Sequence, residues 1–421
     1  MSGQGAAPTV HVVGAGLAGL STAVQLVEAG KRVSLYEAAP FAGGRCRTYQ
    51  DPRLGRDVDN GNHLLLSGNT SAGRYLKATG GDAKMVTLGE AAFPFVDLAS
   101  GDRWRIAMND GPIPWWVADR NRRVPGASLW DHLRGVGLAF AGRKSVAEAI
   151  SDRGPLWRCF WEPMTWAVLN TTPERGAAGL LWPVLKETFA RGGSYCRPML
   201  APDGLGTALV DPAVRWLQER GVDIAFEHAL KGVSNEGDRL SALHFANGRE
   251  VSVGADERVV LALPPTRLKA ALPWIEVPRD DNAILNAHFL VDDPNLGNAA
   301  PITGLINAET HWIFVKKDVV SLTISAADKM GVMDEEPGIL AERLWAETSR
   351  ALGLRTPMRA MRINKERRAT FDQSLEGLAR RPAPRTPITN LFLAGDATDT
   401  GLPATIEGAI RSGEVAAKLA A

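Results

Sequence analysis

Residues 9–37 read TVHVVGAGLAGLSTAVQLVEAGKRVSLYE. Val10–Val13 is a short β-branched run of the kind that forms a buried strand. Leu17–Ala29 has helical composition, and Gly30 is placed to end it. Arg32–Glu37 reads as a second strand. A strand, a helix and a strand within about 28 residues have the size of a right-handed crossover. Between first strand and helix stands Gly14-Ala15-Gly16-Leu17-Ala18-Gly19, the pattern GxGxxG. Gly14 permits the tight turn, Gly16 lets a pyrophosphate approach the backbone, and Gly19 allows close helix–strand packing. The phosphates, with Ala18 in the same turn, then sit at the positive end of the helix. Glu37 ends the second strand, where a carboxylate accepts hydrogen bonds from ribose hydroxyls and disfavours a 2′-phosphate. The reading is a dinucleotide site.

The same stretch contains a false lead. Val10–Val27 carries no charge over 18 residues, near the length of a membrane span. It contains His11, Gln25 and three glycines, and no Lys or Arg precedes it, so the basic flank of a signal peptide is missing. Residues 1–8 read as a disordered leader.

Outward from this unit the chain is ordinary in composition. It has 421 residues, 45% hydrophobic and 23% charged, which excludes wholesale disorder and fibrous architecture. Forty-eight basic and 47 acidic side chains give a net charge of +1, with no basic excess pointing to nucleic acid. Cys46, Cys159 and Cys196 make no CxxC pair and read as reduced thiols of a cytoplasmic protein. No metal site is expected. Asp203–Gly221 reads as a turn and an amphipathic helix. Residues 222–265 alternate strand and turn, with Asn247-Gly248 as a hairpin turn. Residues 280–326 look strand-rich and Glu335–Leu352 helical. Asn390–Ala394 is a buried strand, and Glu407–Leu419 a closing helix.

Gly43-Gly44-Arg45 follows the acidic strand. Two glycines allow close backbone approach, and an arginine offsets pyrophosphate charge. At the far end Gly395-Asp396 ends a strand, and Pro403-Ala404-Thr405-Ile406 opens a helix. An Asp beside a helix N-terminus can hold ribityl hydroxyls, and the helix end can stabilise negative charge on a reduced flavin. FAD is therefore the expected cofactor. Nucleotide features at both ends, with different composition between, suggest an α/β Rossmann-like FAD-binding domain assembled from 1–75, 195–270 and 385–421. An inserted α+β substrate domain would comprise 76–194 and 271–384.

These residues together resemble the FAD-dependent amine oxidase and phytoene desaturase superfamily. Asp59-Asn60-Gly61-Asn62-His63, Trp161-Glu162-Pro163 with Leu169-Asn170-Thr171, Glu366–Phe371 and Gly401–Gly408 are most similar to the hydroxysqualene dehydroxylase family, squalene-associated flavoproteins of hopanoid biosynthesis. Asn62 stands where that family's pattern has Gln. The resemblance implies an amine-oxidase-type fold and an enzyme that replaces the allylic hydroxyl of hydroxysqualene by hydrogen. It places Gly61, Asn62 and His63 near the isoalloxazine ring, and Leu230 near the adenine.

Such a reaction needs a proton for the leaving hydroxyl, an allylic cation shielded from water, and a hydride from reduced flavin. Eight of the twelve tryptophans lie between Trp104 and Trp182, a candidate aromatic wall. Trp161, Trp166 and Asn170 are expected on the substrate side. Two side chains are candidates for the proton donor: Glu162, whose pKa burial among tryptophans would raise, and His63. Asp59 reads as a structural cap, and Glu366, Arg367 and Arg368 as an ion-pair cluster. Only one dinucleotide fingerprint is present, so an external flavin reductase or other electron donor is expected. Trp115 and Trp116, followed by Arg120, Arg122 and Arg123, suit a peripheral contact with the inner face of the membrane. A polyene desaturase, an amine oxidase and a silent flavin-binding scaffold are the rival readings.

Overall fold

The computed structural model describes residues 8–421. Strand β1 (Thr9–Val13), helix α1 (Leu17–Glu28) and strand β2 (Arg32–Tyr36) form the expected crossover. β1 is buried on both faces because it lies at the centre of a five-stranded parallel sheet. It pairs with β2 on one side and Arg258–Leu261 on the other. Ile224–Ala225 and Leu391–Leu393 complete the two edges. Thus strands more than 350 positions apart in the chain share one sheet. The first seven residues, most of the expected leader, lie outside the described residues.

The closing helix, Ile406–Ala420, packs against α1. The fit is close because small residues line it. A Cβ on Gly413 would stand 2.3 Å from the Ala18 carbonyl oxygen. The Ser21 and Thr22 hydroxyls donate across the seam to the carbonyls of Ile410 and Gly413 at 3.0 and 3.3 Å.

A second sheet has seven strands, in the order 360–370, 282–290, 319–325, 312–316, 302–306, 91–97 and 103–108. It is antiparallel except where 302–306 runs parallel to 91–97. Asn282–Leu290 shows what the period of two achieves. Ala283, Leu285, Ala287 and Phe289 enter one apolar core with Leu340, Leu344 and Trp345 of the helix Pro337–Leu352. Asn282, Asn286 and His288 occupy the alternate positions, buried yet polar.

Some expected elements differ in extent. Asp203–Gly221 is two helices, Leu205–Leu209 and Asp211–Gln218, with Pro212 in the first turn of the second. Residues 222–227 supply a strand of only two residues. The helix expected from Glu335 begins at Pro337, where the Glu336 carboxylate caps it by accepting from the Ile339 N–H at 2.8 Å. Cys46 and Cys196 are buried free thiols, and Cys159 is a half-buried one. Among the described residues no helix is long and apolar enough to cross a membrane, and no cluster of potential metal ligands occurs.

Candidate active site

The glycines of the β1–α1 turn have separable duties. Gly14 has φ +106°, and a Cβ there would lie 2.4 Å from the Ala262 carbonyl oxygen. A Cβ on Gly19 would lie 1.7 Å from the Gly14 carbonyl oxygen. These two serve the fold. A Cβ on Gly16 meets nothing within 4 Å, so this space is left for something other than protein. The first hydrogen bond inside α1 runs from the Leu20 N–H to the Gly16 carbonyl at 2.9 Å. The N–H groups of Leu17, Ala18 and Gly19 precede it, with no side-chain cap and no acid in the first turn. An open, uncapped, positive helix end fits a pyrophosphate.

Glu37 Oε2 accepts from the Ala15 N–H at 2.7 Å, and Oε1 from the Ala39 N–H at 2.8 Å. Both oxygens keep acceptor capacity for ribose hydroxyls. The Gly43 N–H donates to the Ala15 carbonyl at 2.8 Å, which lays Gly43-Gly44 along the glycine turn. Leu230 opens the strand 230–236. Two residues before it, the His228 N–H donates to the Glu37 carbonyl at 2.8 Å.

The far end of the chain closes onto this cradle. Arg45 donates to Asp396 Oδ1 at 2.6 Å and to the Ala369 carbonyl at 2.7 Å, joining three segments. Gly395, at φ +131°, donates its N–H to Ser412 Oγ at 2.8 Å. Buried Arg381 holds the following loop by donating to the carbonyls of Asp396, Thr398 and Leu402 at 2.9, 2.6 and 2.9 Å. Gln373 accepts from the Ala404 N–H at 2.9 Å and donates to the Leu169 carbonyl at 2.7 Å. Pro403 and Ile406 are buried, while Thr405 caps the closing helix by accepting from the Gly408 N–H at 3.0 Å. The Glu407 carboxylate accepts the N–H groups of Ser71 and Ala72 at 3.0 and 2.9 Å, capping the helix Thr70–Thr79. The structural roles of Arg381, Gln373 and Glu407 had no local signal, because their partners lie on distant segments or are loop carbonyls.

Gly61-Asn62-His63 meets the polar face of the second sheet. Asn62 Nδ2 donates to Thr323 Oγ1 at 3.1 Å and to the Leu322 carbonyl at 3.2 Å. The Asn62 N–H donates to Asn286 Oδ1 at 3.3 Å. The Asn62 amide therefore anchors the loop. Asp59 is buried and structural, accepting from Thr48 Oγ1 at 2.6 Å, the Leu205 N–H at 2.8 Å and Lys316 Nζ. Burial pushes His63 down to about 4. At pH 7 this imidazole is therefore neutral and carries a single ring N–H.

Glu162 follows a π-helical turn, Trp157–Trp161, and starts the helix Glu162–Leu169. Such turns widen the helix and frequently mark functional positions. Burial raises the Glu162 carboxyl pKa, Glu174 adds to this and Arg153 opposes it. Glu162 has no hydrogen-bond partner among the described residues. Leu64, beside His63, packs in the same apolar cluster as Phe160 and Met164, on either side of Glu162 in the sequence.

Three expectations need correction. Trp161 is buried, its ring edge-on to Phe160 at 4.8 Å and against Gly135, so it is a core residue. Asn170 is buried at φ +48°. Its Nδ2 donates to Thr370 Oγ1 at 3.0 Å and its Oδ1 accepts from the Ala326 N–H at 2.5 Å, so both ends are spent within the protein. Arg367 pairs with Asp334 at 3.0 Å rather than with its neighbour Glu366. Trp166 is half-buried, 5.4 Å from the His311 ring.

The sequence pattern of the family described as flavin containing amine oxidoreductase matches residues 17–421. The chain is 42% identical over 412 residues to the hydroxysqualene dehydroxylase of Rhodopseudomonas palustris, covering 98% of each chain. It is 41% identical over 412 residues to that of Sinorhizobium fredii, again covering 98% of each. Among solved structures, cyclohexylamine oxidase from Brevibacterium oxydans matches with a TM-score of 0.70 at 14% identity, over 98% of this chain and 99% of that one. That likeness concerns the fold alone.

Proposed function

The chain belongs to the flavin containing amine oxidoreductases and, within them, to the hydroxysqualene dehydroxylase family, and from that premise we propose that it converts hydroxysqualene to squalene. It is an FAD-dependent oxidoreductase of the amine oxidase fold. The near-full-length likeness to two proteins of that name is the observation that carries the substrate. Replacing C–OH by C–H consumes a proton and a hydride and releases water, and bound reduced FAD supplies the hydride.

The chain's own residues account for the rest. The open turn at Gly16 and the α1 N-terminus receive the pyrophosphate, and Glu37 the adenosine ribose. Asp396 and the N-terminus of the closing helix face the flavin half. Glu162, whose carboxyl burial pushes above the usual carboxylate range, is the group that gives a proton to the departing hydroxyl. His63, neutral, positions rather than protonates. The half-buried ring of Trp166 helps to exclude water from the allylic cation. Segments 1–75, 195–270 and 385–421 serve as the FAD domain, and 76–194 with 271–384 as the substrate domain. Electrons come from an external donor, such as a flavin reductase. The enzyme works in the cytoplasm at the inner membrane surface, where a C30 substrate resides.

The test is a single-turnover experiment. The purified flavoprotein is reduced with dithionite under anaerobic conditions and mixed with detergent-dispersed hydroxysqualene. Flavin re-oxidation with one squalene formed per flavin is expected. A flavin that stays reduced, with no squalene, overturns the reading. Bleaching of the oxidised enzyme by squalene or phytoene would assign it to the desaturases instead.

A further inference from the structure

Helix Leu129–Arg134 and the 3-10 turn Gly135–Phe140 form one continuous helical rod. One side is buried: Gly135 has no room for a Cβ against the Trp161 ring, and Leu138 is 2% exposed. The opposite side is apolar as well. Leu129, Trp130, Leu133, Val136 and Phe140 recur at helical spacing and all face solvent, Trp130 at 73% and Phe140 at 83%. Ile113, 76% exposed, and Trp115 extend this apolar surface in the neighbouring loop. Seven of the eleven exposed large hydrophobic residues among the described residues therefore fall within 28 positions. At 150–250 Å² for each aromatic side chain, the patch is on the order of 800 Å², above the few hundred a soluble monomer shows.

Charge says what covers it. Arg120, Arg143 and Lys144 are exposed near the rod and have no carboxylate partner among the described residues. Arg134 is paired with Asp131 and Asp152. Residues 103–144 hold eight Lys/Arg against three Asp/Glu in a chain whose net charge is +1. The face keeps Trp115 and Arg120 of the one expected from sequence and loses the other three residues. Trp116 is half-buried, edge-on to His132 at 5.5 Å. Arg122 and Arg123 donate to the carbonyls of Ala107, Met108 and Val117.

We propose that the outer face of the 129–140 rod, with Ile113 and Trp115, docks this enzyme on an anionic lipid bilayer. The proposal rests on the lipid-substrate reading above and specifies its surface. The rod lies flat in the interface, apolar side chains among the acyl chains and cations at the headgroups. Its buried side touches the ring of Trp161, the residue that precedes Glu162.

The test is vesicle flotation of the FAD-loaded protein. Wild type is expected to float with phosphatidylglycerol–phosphatidylcholine vesicles, and less with phosphatidylcholine alone. A Trp130→Gln, Phe140→Gln double variant is expected to lose at least about tenfold in partition, with flavin content and turnover of detergent-dispersed substrate unchanged. An Arg143→Gln, Lys144→Gln variant is expected to lose the preference for anionic lipid. Flotation of the Trp130/Phe140 variant at the wild-type level overturns the proposal. So does a dimer by sedimentation velocity that this variant dissociates, which would make the face an interface between two copies. Inactivity on detergent-dispersed substrate with flotation intact would instead overturn the dehydroxylase reading and leave the docking standing.

Discussion

Replacing Gly16 and Gly19 separately by Ala distinguishes a ligand space from a packing constraint. Gly16 has φ −72° and ψ 176°, a conformation any L-residue adopts, and the new Cβ meets nothing within 4 Å. The apoprotein of Gly16→Ala should therefore unfold within about 0.5 kcal/mol of wild type. The methyl group would occupy the side from which a pyrophosphate approaches, and FAD affinity should fall roughly ten- to a hundredfold, about 1.4–2.8 kcal/mol. Gly19→Ala is the converse. Its Cβ would stand 1.7 Å from the Gly14 carbonyl oxygen, which is backbone and cannot swing away. Helix and turn must separate, at a cost of about 1–3 kcal/mol to the apoprotein before any cofactor is added. Thermal melts of the two apoproteins, with FAD titrations followed by flavin fluorescence quenching, measure both quantities. A Gly16→Ala protein that binds FAD as wild type does would refute the phosphate placement. One whose apoprotein melts like that of Gly19→Ala would refute the openness of the turn.

Glu162→Gln should lower kcat by about 10²–10⁴ with FAD content unchanged. In the wild type the acid works while protonated, so kcat should decline as pH rises through the elevated pKa of this half-buried carboxyl, and the Gln variant should lack that limb in a stopped-flow pH series. His288 tests the pH dependence of stability. Burial holds it at about 4 against 6.5 for an exposed imidazole, so the native state keeps it neutral where the unfolded chain takes up a proton. The stability conferred is complete above pH 6.5 and is lost as pH falls toward 4, on the order of 3 kcal/mol. Urea melts from pH 7 to 4 should show this decline in wild type and a shallower one in His288→Gln; equal slopes would count against it.

The nucleotide half of the molecule was legible because its signals are local. GxGxxG, Glu37 and the flanking apolar runs are read within 29 residues, and strand and helix ends fell within a residue or so of expectation. The closing helix was found for the same reason. What escaped were roles set by distant partners. Nothing around Arg381 announces that its guanidinium will gather four carbonyls of the 396–402 loop. Nothing beside Asn170 announces that its amide will be spent on Thr370 and Ala326. Tryptophan density marked residues 104–182 correctly as unusual but could not sort core from surface. Trp161 is buried while Trp130 is exposed, and only the hand of the helix decides which way each faces.

The seam between α1 and the closing helix has a consequence for biosynthesis. β1 and β2 are made well before their sheet is complete, for β1's partner strand begins at Arg258 and the edge strand beyond it at Leu391. At 5–20 residues per second, the nascent glycine turn waits about 20 to 70 s for that edge strand. Only after Ile410 has been added can the Ser21 hydroxyl find its acceptor. A segment made early is thus secured late, once the strand at Leu391 and the helix after it have joined the sheet.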